Sequence, residues 1–126
     1  MIPALEKVLS SGYDEVLARL PEALKSEGFG VLTEIDVRDT LRNKLGVEFR
    51  RYKILGTCNP PLAHRALQAE LDVGLMLPCN VIVYEDGEKT VVKAIDPMAT
   101  IASHHAELRP VAEEVRARLA RVVERL

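Results

Sequence analysis

The residues best suited to chemistry stand in two similar segments, Thr57-Cys58-Asn59-Pro60 and, twenty residues on, Leu77-Pro78-Cys79-Asn80. They hold both cysteines of the chain, each followed by asparagine. Cys58 directly precedes Asn59, the expected N-cap of a helix that opens Pro60-Pro61. The positive end of such a helix favours a thiolate and lowers its pKa. One reading is therefore a redox or nucleophilic thiol, with Cys58 and Cys79 acting together. The plainer reading is packing, because free cysteine is among the most buried residue types and burial raises a thiol pKa. Asn59 and Asn80 can offer amide groups to a ligand at the same rim, or satisfy their own turns, the commoner task of asparagine. If the two strands are neighbours, Cys58 and Cys79 are expected to converge on one side of the sheet near the helix that follows Asn59. Burial is then expected to prevail and to keep both thiols reduced.

Other catalytic constellations are incomplete. No histidine or acid is tied to either cysteine by a motif, so a nucleophilic thiol lacks its general base. His64, His104 and His105 do not make the paired spacings of a zinc site. Ser10, Ser11, Ser26 and Ser103 lack the context of a nucleophile elbow, and there is no Gly-rich phosphate loop. Glu34, Asp36 and Asp39 form a small acidic group whose expected task is helix capping. Neither a metal nor a cofactor is implied.

The elements that position these residues are legible from periodicity. Leu5 to Leu9 reads as a first strand. A helix over 11–27 is expected, with Ser11 as N-cap, Gly28 as its end and a kink or break at Pro21. Phe29, Val31, Ile35 and Val37 set the alternation of a half-buried strand over 29–37. A short helix over 39–45 closes at Gly46. The next strand spans 49–58, with a bulge or a late start near Arg50-Arg51. The helix after Asn59 has Leu62, Ala66, Leu67 and Leu71 on one face and ends at Gly74. A strand over 78–85 turns at Asp86-Gly87 into another over 89–95, and Asp96-Pro97 starts a helical turn. Leu108, Val111, Val115, Leu119, Val122 and Leu126 recur at three and four to mark a final helix over about 105–126. Its arginines and glutamates are mixed in sign and read as a solvated face.

Length and composition agree with one domain over 1–126 and a single aliphatic core, since tryptophan is absent and aromatics are few. The net charge of −2 and the lack of exposed basic-aromatic patterning argue against a nucleic-acid partner. No apolar run approaches the ~20 residues that span a bilayer. The first residues lack the pattern of a signal peptide. A cytoplasmic location with unpaired thiols is therefore expected.

The order of elements predicts an α+β fold with a mainly antiparallel sheet of four to five strands and helices packed on one face. Val81-Ile82-Val83-Tyr84 is apolar on both sides, so its strand is central, or its second face meets a ligand or another subunit. A homodimer is expected on that ground. The segments Phe29 to Val37, Tyr52-Lys53-Ile54-Leu55-Gly56 with Cys58-Asn59-Pro60, and Gly74 to Val81 resemble the domain of unknown function 302 family. That resemblance covers roughly residues 5 to 97 and implies a curved sheet of the TATA-binding-protein-like type crossed by a long C-terminal helix. It implies no activity. The residues themselves favour a non-enzymatic domain that binds a small molecule or a second copy, with Cys58, Asn59, Cys79 and Asn80 as candidate ligand-binding residues. The alternative is a thiol-dependent redox protein or enzyme using Cys58 and Cys79.

Overall fold

A computed structural model describes residues 2–103 and 105–126. In chain order it contains β1 (Ala4–Leu9), α1 (Tyr13–Ser26), β2 (Gly30–Asp36), α2 (Val37–Leu45), β3 (Tyr52–Cys58) and α3 (Pro60–Ala69). A 3-10 helix, Leu71–Met76, follows, then β4 (Cys79–Asp86), β5 (Lys89–Ile95) and α4 (Arg109–Arg125). The fold is α+β. Five strands lie in the order β1-β5-β4-β3-β2, and each neighbouring pair is antiparallel.

One face of the sheet is the core. Leu55 and Thr57 of β3, Val81 and Val83 of β4, and Val92 and Ala94 of β5 are all buried. Strand alternation puts them on the same side. α1 adds Val16, Leu20 and Leu24, and α4 adds Val115, Leu119 and Val122. The whole expected seam of the final helix, from Leu108 to Leu126, is buried within the chain. Each fully enclosed leucine there stabilises the fold by about 1.5–3 kcal/mol. Lys7 ties β1 to the end of α4 by donating its Nζ to the carbonyls of Glu124 and Leu126, both at 3.0 Å.

Several boundaries move from their expected places. α1 starts one residue later than predicted and is preceded by Gly12, with no side-chain cap. It runs unbroken through Pro21. Its end is a Schellman turn: Gly28 has φ +85°, and Phe29 N–H donates to the Leu24 carbonyl at 2.9 Å. β3 makes the late start, at Tyr52, and the bulge falls instead on β2 at Leu32. α3 stops at Ala69 because Glu70 leaves the helix and its carboxylate caps the following 3-10 helix at Asp72 N–H. Gly74 therefore lies inside that second element. The hairpin turn is Gly87-Glu88, since Asp86 still pairs with Lys89. Gly87 alone has positive φ there (+61°), as a type II′ turn requires of its first residue.

The largest departure concerns β2. Its alternation predicts a half-buried strand, yet Leu32 is 66% exposed and Ile35 46%. β2 is the sheet edge. No residue of α2 is buried, so the β2–α2 excursion gains little cover from the rest of the chain. β4, by contrast, is the middle strand of five, which accounts for its apolar residues on both sides.

Candidate functional site

The two cysteine-bearing strand ends are adjacent, because Thr57 of β3 pairs with Cys79 of β4. Around them lies a cavity of about 360 Å³. Its walls come from Cys58, Asn59 and Cys79 at the strand ends, Leu62 and Ala66 of α3, and Val111 of α4. The lining is overwhelmingly apolar, and the volume lies in the range of small-molecule sites.

Asn59 shapes this end of the fold. It is 7% exposed and its Oδ1 accepts from Leu62 N–H, capping α3. Its Nδ2 donates to the Glu27 carbonyl at 3.2 Å, fastening the C-terminus of α1 to the start of α3. Arg118 of α4 donates to the same carbonyl at 3.1 Å, and Arg121 reaches the Glu27 carboxylate at 2.9 Å. Three helices thus meet on one residue that no sequence motif marks. Gly28 packs so closely that a Cβ there would come within 2.9 Å of Asn59 Nδ2.

The thiols are both unpaired, Cys58 half-buried and Cys79 buried. Burial raises the Cys58 pKa above the ordinary thiol range. Burial, with a smaller contribution from nearby Cys58, pushes Cys79 up to about 11. Desolvation therefore prevails over the pull of the α3 N-terminus, and both groups are neutral thiols at pH 7. Because Cys79 shares a face with its partner Thr57, strand alternation turns Cys58 toward the other face. The two therefore border one cavity but do not share one side of the sheet as expected, because consecutive residues of a strand alternate faces. Thr57, buried with them, donates its hydroxyl to the Cys79 carbonyl at 2.8 Å.

Asn80 does not join this group. It is exposed and lines a groove on the opposite face of the sheet. The echo therefore divides, three members at the cavity and one outside it. Sequence reasoning missed Phe29, Leu62, Ala66, Ile101 and Val111 as cavity walls. Their only signal was apolar periodicity, which every core residue shares.

The remaining candidates are structural. Asp36 caps α2 by accepting from Asp39 N–H at 2.9 Å, and Glu34 pairs with Lys53 at 2.8 Å. His64 is exposed on α3. His105 accepts from Glu107 N–H through Nδ1, and His104 lies outside the described residues. Among the described residues, no three His, Cys, Asp or Glu side chains gather as a metal set. No described helix is long and apolar enough to cross a membrane.

A family model described as domain of unknown function DUF302 matches residues 5–126. The chain is also similar to the crystal structure of an uncharacterized conserved protein DUF302 from Bacillus stearothermophilus, at 35% identity and a TM-score of 0.86. That alignment covers 96% of this chain and 97% of the other. No curated protein matches the chain.

Proposed function

Because the chain belongs to the family described as domain of unknown function DUF302, which names no activity, we propose a function from its geometry: it is a non-enzymatic domain that binds a small, mainly apolar molecule in the cavity between β3, α3 and α4. The observation that carries this reading is the cavity itself, about 360 Å³ of apolar wall bordered by two unpaired thiols. A neutral thiol is a weak donor and a soft, polarizable surface, suited to contact with an apolar ligand. Thiol catalysis by Cys58 and Cys79 is less well supported, because a catalytic cysteine needs a lowered pKa and both of these are raised. The unpaired thiols also favour a reducing compartment, and cytoplasmic residence belongs to the same proposal.

A homodimer accompanies it, with the contact placed on β2 and α2. Leu32, Ile35 and Leu45 are exposed there. A two-fold axis perpendicular to the sheet sets two β2 edges antiparallel, which matches every existing strand pair.

The test of the cavity uses 1-aminoanthracene, a neutral fluorescent aromatic. Its emission is expected to rise on binding. Ala63→Phe, which adds bulk at a half-buried wall position, is expected to weaken binding at least tenfold while the fold is retained. Equal binding by this variant counts against the proposal, as does rapid iodoacetamide labelling of Cys58 at pH 7.

A further inference from the structure

The sheet face turned away from α1 and α4 carries a second, larger concavity of about 580 Å³. It is separate from the thiol-bordered cavity, and of the four cysteine-segment candidates only Asn80 lines it. Its floor is Ile82 of β4 and Ile95 of β5. Tyr52 and Tyr84, directly opposite across β3 and β4, stack with ring centroids 5.4 Å apart and planes 8° from parallel. Phe49 leans on Tyr52 at 6.2 Å. Three of the five aromatic residues of the chain are thus collected on one side of this groove.

Two cations flank the aromatic wall. The Arg50 guanidinium lies 5.8 Å from the Tyr84 ring centroid, and Lys93 is the cross-strand partner of Ile82. Among the described residues, no carboxylate lines the groove. Glu6 and Asp86 stand outside it, Glu6 at 3.4 Å from Lys93 and Asp86 at 3.7 Å from Arg50. The Arg50–Asp86 pair is exposed and the Lys93–Glu6 pair partly so; pairs open to solvent contribute little, so a ligand anion can compete for either cation. An apolar floor, stacked rings and positive charge without lining acids select a flat, apolar and negatively charged molecule. Nucleic acid is a poor match, since two cations neutralise too few phosphates for a polyanion.

We propose that this groove is a second binding site, for a small aromatic carboxylate whose ring lies along Ile82 and the Tyr52–Tyr84 stack and whose anionic group meets Lys93 and Arg50. Shape and apolar contact hold the ring, and the two cations set the preference for a carboxylate over a neutral amide.

The probe is 2-naphthoate, compared with the isosteric 2-naphthamide, titrated into the whole protein at low salt. The chain has no tryptophan, so naphthalene fluorescence reads without interference. Naphthoate is expected to bind at least tenfold more tightly than the amide. Lys93→Met and Arg50→Met, each keeping most of the aliphatic stem, should weaken naphthoate at least fivefold and leave the amide unchanged. Ala63→Phe, in the other cavity, should leave naphthoate binding intact and so separates failure of this proposal from failure of the first. Equal affinity for the two probes, or equal binding by both Met variants with unchanged melting temperatures, overturns the proposal. So does a groove filled by a second copy, seen as a two-copy mass that Ile82→Glu reduces to one.

Discussion

Cys79 shows what burial does to a group that looks reactive in sequence. At 6% exposed, its thiol has a pKa of about 11 against an ordinary 9. The folded state therefore holds the proton more tightly than the unfolded state does. Stability from this neutral thiol is fully present below pH 9 and is lost as pH rises through 9 toward 11. The loss over that window is about 2–3 kcal/mol, taking 1.36 kcal/mol per pKa unit. Tyr13 contributes in the same direction at higher pH, since burial and then the charge of Asp36 push its phenol up to about 12. Thermal unfolding followed from pH 8 to 11 should thus show a steeper decline for the native chain than for Cys79→Ala. Parallel profiles would contradict the assignment.

Among the elements, β3 is the most constrained, and Gly56 is the reason. A Cβ at this position would stand 2.2 Å from Thr33 Oγ1 and 2.7 Å from Pro78 Cγ. β2, β3 and the approach to β4 therefore close over a glycine that only a residue without a side chain can supply. Gly56→Ala should lower stability by about 1–3 kcal/mol, the range for overpacking a closed site. Gly30→Ala, at an exposed position where a Cβ meets nothing within 4 Å, serves as the neutral control in the same denaturant titration. A loss confined to Gly56→Ala is the expected result. α4, in contrast, spreads its attachment along its length. Its buried seam is backed by outer pairs such as Arg116 with Asp96 at 3.1 Å and Arg121 with Glu27 at 2.9 Å.

At the scale of the whole molecule, cover is unequal. The helices close one sheet face, while the other face and the β2 edge stay open. An unprotected edge strand is a template for pairing, and Ile35 stands exposed next to its C-terminal end. Ile35→Lys should reduce the light-scattering mass at micromolar concentration from two copies to one, with the melting temperature of the isolated chain little changed. A native protein already of single-copy mass would end the dimer proposal. The open face imposes no such pairing, because its Lys93 and Glu6 interrupt the apolar surface.

Sequence alone determined the local features. The seam of α4, the Asn59-Pro60-Pro61 start of α3, the turn at Gly28 and a sheet of four to five strands all follow from short-range periodicity, capping and backbone freedom. These depend on residues a few positions apart and are therefore written in the order of the chain. Tertiary structure decided what depends on distant neighbours. β2 has the alternation of a half-buried strand but lies bare, because strand order puts it at the edge. Asn59 and Asn80 follow cysteines in matching steps, yet one is clamped between helices and the other faces the open groove. That difference comes from strand parity and from where each strand ends. Both cavities are likewise products of long-range packing, their walls drawn from segments that apolar periodicity marks only as core.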